Sequence, residues 1–175
     1  RLNQLIDQAD APALRFAPLA PSWPDADLPR GSSVFARLQQ GDMLLHHPFQ
    51  SFEVVVEFLR QAVHDPAVLA IKQTIYRTGS QSVLMELLIE AARRGKDVCV
   101  VVELKARFDE EQNLKWAGQL ERAGVQVVYG FTDWKTHAKV SMVVRREEDG
   151  ARTYCHFGTG NYHPVTANIY TDLSF

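Results

Sequence analysis

The chain is short of everything that would brace it covalently or anchor it in a bilayer. Only two cysteines occur in 175 residues, Cys99 and Cys155. Both lie inside apolar runs without metal-ligand spacing, which argues against a disulfide framework and against a zinc site. They read as small buried hydrophobes of a reducing compartment. No apolar run approaches the length of a membrane-spanning helix, and no signal peptide opens the sequence. The formal net charge of -2 gives no global electrostatic case for a nucleic-acid partner. Low-complexity segments are missing. Natural-looking ends are missing too: Arg1 opens the chain and Phe175 closes it inside an apolar run, as expected of a piece of a larger protein.

Hydrophobic residues make up 46% of the chain, enough for a packed core at this length. Pro12, Pro18, Pro21, Pro24 and Pro29 forbid long helix or central strand, so residues 1 to about 30 read as irregular, the tail of a preceding domain or a linker. Ser32-Ser33 can cap a short helix through Arg37-Leu38, and Asp42 to Pro48 reads as a short strand stopped by proline. From Ser51 the pattern becomes regular. A helix capped by Ser51 runs to about Ala62 with Phe52, Val55, Val56 and Leu59 on one face. A strand runs from Val68 to Tyr76. The next helix begins at Ser82, with Val83, Leu84, Leu87, Leu88 and Ala91 as its core stripe, and Gly95 ends it. Val98 to Val102 is a continuous apolar strand of the kind buried on both faces. A further helix spans about Asp109 to Ala123, with Asp109, Glu110 and Glu111 at its positive end, and Val125 to Tyr129 forms the next strand. Strand and helix alternating in this way imply parallel pairing with right-handed crossovers. Val140 to Arg146 and Arg152 to Phe157 then read as a hairpin closed at Asp149-Gly150. The fold class expected is therefore α/β, a mixed β-sheet flanked by helices.

The chemistry concentrates in Lys135-Thr136-His137-Ala138-Lys139 and Gly158-Thr159-Gly160-Asn161. A lone histidine is ordinarily a surface or core residue. Here, however, Lys139 lies two residues beyond His137, so on a strand both side chains share a face. Asn161 follows the partner strand and can fold back beside them. A neutral imidazole attacks phosphorus, an ammonium group neutralises phosphoryl oxygens, and glycines let backbone N–H groups approach phosphate. Lys72, Arg77, Lys105, Arg107, Lys135 and Lys139 stand at or near strand ends and could line a basic cleft, although any one lysine taken singly reads better as solvated surface. Glu103, at a strand end, is a candidate to orient Arg107 or Lys72. His46, His47, His156 and His163 show no convincing partners, and Trp116 and Trp134 read as core or rim aromatics.

His137-Ala138-Lys139 with a downstream Gly-Thr-Gly-Asn resembles one half of the phospholipase-D-type catalytic repeat. That repeat usually carries an aspartate shortly after the lysine, where this chain has Val140-Ser141-Met142-Val143-Val144. The departure weighs against a generic phosphodiesterase or nuclease. The wider pattern resembles the polyphosphate kinase family of the same fold. It includes Met43 to Phe52, Ala70 to Arg77, Val102 to Glu111, Lys135 to Lys139, Gly158 to Tyr162 and Thr166 to Asp172. The resemblance implies a division at about residue 40: residues 1–40 as linker or end of the preceding head domain, and residues 41–175 as a phospholipase-D-like half, truncated at its C-terminus. It implies reversible transfer of the ATP γ-phosphate to inorganic polyphosphate, ADP being the leaving group, with His137 as the phosphorylated nucleophile and Lys139 and Asn161 assisting. It further implies a nucleotide contact at Tyr170 and a Mg2+ site associated with Arg77 and Arg107. A guanidinium has no lone pair for a cation, so the two arginines read as forks on phosphate oxygens that themselves hold the magnesium. Also implied are a homo-oligomer in the full-length protein, no nucleic-acid partner, and a cytoplasmic location with peripheral attachment to the inner membrane left open. The fragment alone, lacking a second half, is expected to be inactive. A non-catalytic polyanion-binding module is the remaining alternative.

Overall fold

The computed structural model describes residues 2–77, 79, 82–106, 110–131, 133–163 and 165–175. Against the expectation of an irregular start, a short helix α1 (Leu2–Gln8) precedes the first proline. Helix α2 (Val34–Leu38) begins as expected: the Ser33 hydroxyl accepts the Ala36 N–H at 3.1 Å. Then come β1 (Leu45–His47), α3 (Glu53–His64), β2 (Val68–Ile75), α4 (Val83–Arg93), β3 (Asp97–Val102), α5 (Glu110–Arg122) and β4 (Gln126–Tyr129). A long hairpin, β5 (Lys139–Glu147) and β6 (Gly150–Gly158), leads to a final strand β7 (Asp172–Ser174) that the sequence pattern did not announce. The strands form one sheet in the order β1-β7-β6-β5-β2-β3-β4. Strands β2, β3 and β4 run parallel, whereas β5 pairs antiparallel with β2 and β6 antiparallel with β5.

Glycine stops the two crossover helices, at Gly95 with φ 82° and Gly124 with φ 88°, where the left-handed backbone disfavours any other residue. Both crossovers are right-handed by expectation, which puts α4 and α5 on the same side of the sheet. Ile71, Val100 and Val143 from the sheet are all fully buried against Leu59, Leu88 and Leu120 from α3, α4 and α5. The opposite face has no such cover among the described residues. In β3, Val98, Val100 and Val102 are buried while Cys99 and Val101 are only half-buried. The strand is thus not buried on both faces, and neither cysteine is a core residue, because both project from the face without helices. Val83 is another departure. It is 43% exposed while Met85 is fully buried, since the stripe of Leu84, Leu88 and Ala91 leaves the first helical residue to one side.

Two histidines without obvious partners in the sequence turn out to be structural. The Ser174 hydroxyl lies 2.8 Å from His47 Nε2 and 2.8 Å from His156 Nε2. His47 Nδ1 lies 2.8 Å from the Gln50 carbonyl, and His156 Nδ1 lies 2.7 Å from the Tyr162 hydroxyl. The chain of bonds ties β1, β7 and β6 to the segment carrying Asn161. Burial pushes the His156 imidazole down to about 3 and holds His47 below 6.5. Both are therefore neutral in the folded protein at neutral pH. An unfolded chain binds protons at these residues from about pH 6.5 downward, which the folded chain resists, so stability is complete above that pH and falls as the solution is acidified toward 3. Urea unfolding midpoints should decrease between about pH 7 and pH 5, with His156 accounting for roughly 2 kcal/mol, and the slope should be shallower in His156→Asn.

Candidate active site

Strand polarity gathers the site. Parallel strands β2, β3 and β4 end at one edge of the sheet, at Tyr76, Glu103 and Gly130. Because β5 is antiparallel to β2, it begins at that same edge, with Lys139. Strand β6 returns there, placing Gly158 opposite Lys139, and β7 starts there with Asp172. The carboxyl edge of a parallel sheet is where ligands bind in open α/β folds.

His137 is not on a strand, contrary to the two-residue spacing argument. It sits in the irregular segment before β5 and is exposed, whereas Lys139 is only 5% exposed. The two side chains nevertheless meet. The Lys139 ammonium donates to the His137 carbonyl at 2.7 Å and lies 3.0 Å from Nδ1 and 3.2 Å from Nε2 of its ring. Tyr76 packs against both, its ring centroid 4.6 Å from that of His137 in an edge arrangement and 5.0 Å from the ammonium. Thr74 pins the turn from the other side, its hydroxyl donating to the Ala138 carbonyl at 2.7 Å and accepting from the Val140 N–H at 2.9 Å.

Partial desolvation, then the charges of Lys139, Arg77 and Lys135, lower the His137 pKa from its ordinary value. Since His137 is exposed, the three cations are the more telling cause. Lys139 is itself lowered, mainly by burial and further by Arg77, against the opposing charge of Asp172. The carboxylate that acts on Lys139 is Asp172, not a residue of the stretch that follows Lys139 in sequence. It arrives from β7, where it accepts from the Thr159 hydroxyl at 2.8 Å and packs so closely on Gly160 that a β-carbon there would overlap its carboxylate. Only strand pairing brings it near, so spacing along the chain could not have revealed it.

Of the remaining candidates, Arg77 is half-buried just beyond β2, with its guanidinium carbon 5.7 Å from the Tyr76 ring centroid. Asn161 follows β6, and its Oδ1 is buried without a hydrogen-bond partner among the described residues. Tyr170 is 60% exposed and Trp134 75% exposed, so neither is core; Trp116 is buried, its indole donating to the Gly79 carbonyl at 3.0 Å. Arg107 lies outside the described residues. Lys105 and Lys135 are exposed near this edge, but Lys72 is not part of a cleft with Lys139. It pairs with Met142, and alternation turns it to the opposite face. Glu103 does not reach toward Lys72. Its carboxylate accepts the Lys105 N–H at 2.8 Å and the Thr136 N–H at 2.6 Å.

No group of three or more His, Cys, Asp or Glu among the described residues could hold a metal ion. The side chains gathered at His137 are cations, which repel a magnesium ion and bind oxyanions instead. They do not fit a protein-held Mg2+. No helix among the described residues is long and apolar enough to cross a membrane.

Residues 33–175 match the family described as polyphosphate kinase C-terminal domain 1. The chain belongs to the polyphosphate kinase family. A polyphosphate kinase of Erythrobacter litoralis is 61% identical over 174 residues, which are 99% of this chain and 24% of that protein. The chain thus spans about a quarter of the length of such relatives. The crystal structure of polyphosphate kinase from Porphyromonas gingivalis superposes with a TM-score of 0.78 and 34% identity, covering 97% of this chain and 28% of that one. Nuc from Salmonella typhimurium, a phospholipase D family member, shares the fold at a TM-score of 0.55 and 17% identity, covering 75% of this chain and 78% of its own. This chain is therefore built on a phospholipase-D-like α/β fold.

Removing the nearest cation should relax the imidazole. In Lys139→Met the His137 pKa is expected to rise yet stay below its ordinary value, because Arg77 and Lys135 remain. Titration of the His137 Cε1 proton by NMR measures this directly.

Proposed function

We propose that this chain is the nucleophile-bearing half of a polyphosphate kinase. In this reading residues 1–40 end the preceding domain and residues 41–175 form the catalytic half. The observation that carries it is a neutral imidazole at the sheet's carboxyl edge, touched by an ammonium group and surrounded by further cations, with no carboxylate bonded to its ring among the described residues. Such an imidazole keeps its lone pair available, and the charges around it suit a phosphoryl group rather than a proton.

The reaction then proceeds in two displacements. A ring nitrogen of His137 attacks the γ-phosphorus of ATP, a P–N bond forms, and the P–O bond to ADP breaks with its electron pair leaving on ADP. A terminal oxygen of inorganic polyphosphate next attacks that phosphorus. The P–N bond breaks, its electrons return to the imidazole, and the polymer is longer by one unit. Each step is reversible. Lys139 and Arg77 offset charge on the nonbridging oxygens, with Arg107 assigned the same part by resemblance. Asn161 offers its amide to an oxygen at the same edge, and Tyr170, exposed beyond it, is free to meet the nucleotide. Magnesium in this reading travels on the substrate phosphates. A second half completes the site in the whole protein, so this chain alone turns over poorly or not at all.

Incubating the full-length protein with γ-labelled ATP should give acid-labile, base-stable label at His137, and His137→Ala should abolish it. Label elsewhere, or cleavage of a phosphodiester without ATP, would favour the phosphodiesterase reading instead. Polyphosphate binding without any phosphoenzyme would leave only a polyanion-binding module.

A further inference from the structure

We infer that Glu103 is a positioning residue that locks the His137 segment to the ends of β2 and β3; this inference rests on the phosphohistidine reading above. Glu103 lies just beyond β3 and is only 1% exposed. One carboxylate oxygen accepts the Thr136 N–H at 2.6 Å, immediately before the nucleophile. The other accepts the Lys105 N–H at 2.8 Å, fixing the turn that leads toward Arg107. The backbone of Glu103 is engaged as well. Its N–H donates to the Ile75 carbonyl at 2.9 Å, and its carbonyl accepts from Asn113 Nδ2 at 2.9 Å. The same amide nitrogen donates to the Tyr76 carbonyl at 3.0 Å. Asn113 is fully buried on α5, so one side chain beneath the sheet edge holds two strand ends together.

The bonds converge on the segments bearing Arg77 and His137. They do so through backbone groups, which fixes the path of the chain rather than any one rotamer. Gly130 shows how closely the latch is built. Its N–H donates to the Val102 carbonyl at 3.0 Å, and a β-carbon there would come within 3.2 Å of both Glu103 Oε2 and Thr136 Oγ1. On the far side of His137, Thr74 holds Ala138. The nucleophile is thus clamped at the residue before it and the residue after it.

Burying a carboxyl group is costly, and an apolar residue would serve packing as well or better. Two charge-assisted bonds to backbone N–H groups offset that cost and deliver geometry in return. Near-attack geometry is sensitive on this scale: a displacement of about 1 Å can cost about 100-fold in rate.

Glu103→Gln tests the idea in the full-length protein. The amide keeps the shape but offers one acceptor oxygen, so its NH2 must face one of the two N–H donors. Single-turnover labelling by γ-labelled ATP should show a rate constant lowered about 10–100-fold with unchanged final stoichiometry at His137, because positioning slows attack without removing active molecules. The ATP concentration giving half-maximal rate should change by less than about threefold. Hydrogen exchange at the Thr136 amide should accelerate. A lowered stoichiometry at the wild-type rate constant would mean that Glu103 merely supports the fold, and would overturn the inference. So would a wild-type rate constant with an accelerated Thr136 amide. If Glu103→Gln does not fold, Gly130→Ala presses on the same latch from outside, and the same two outcomes decide. Absence of label at His137 in the wild-type protein would sink the phosphohistidine reading itself, whereas equal labelling of wild type and variant sinks only this one.

Discussion

The antiparallel pairing of β5 with β2 is the constraint from which the site follows. Three parallel strands deliver Tyr76, Glu103 and Gly130 to one edge of the sheet. A parallel β5 would have started at the other edge, roughly 25 Å away for a strand of this length, with Lys139 far from Arg77. Reversing it brings Lys139, then Gly158, then Asp172 to the edge where the crossovers already converge. The register Lys139↔Gly158 sets the glycine-rich turn directly across from the buried ammonium.

That edge is electrostatically unsettled in the free protein. His137, Lys139, Arg77 and Lys135 disfavour one another's protonated or charged forms, as the lowered pKa values of His137 and Lys139 record. A largely buried ammonium survives because the His137 carbonyl, the Tyr76 ring and the charge of Asp172 each compensate part of its lost hydration. Asp172 and the buried Glu103 carboxylate stand at this edge beside Lys139, Arg77, Lys135 and Lys105, which leaves a surplus of positive charge among these residues. In the proposed reaction, a phosphate group arriving at this edge would relieve repulsion already present.

Periodicity and glycine stops located most of the elements from β2 to β6 because these are long, apolar and bounded by residues with clear turn chemistry. What it could not reach was long-range pairing. Strand β7 is short and mostly polar, and only its partners β1 and β6 make it a strand. The same limitation hid Asp172, whose charge reaches Lys139 from another strand. His137 and Lys139 were rightly expected to meet, though for the wrong local reason: Lys139 reaches back to a loop residue rather than projecting beside it from a strand. The charge of Glu103 suggests a basic side chain as its partner, whereas its carboxylate bonds main-chain N–H groups, which carry no signature in sequence. His47 and His156 looked partnerless because the hydroxyl that joins them comes from β7.

The bonds from Gln50 to Tyr162 leave no freedom in where their protons lie. A carbonyl oxygen can only accept, so His47 must carry its proton on Nδ1 and present a bare Nε2. Ser174 must then donate to His47 and accept from His156, whose bare Nδ1 takes the Tyr162 proton in turn. Every dipole in the string points the same way, and none can reverse unless all do. A single main-chain oxygen at Gln50 thereby dictates the tautomer of an imidazole two strands away, and with it the orientation of the phenol that adjoins Asn161.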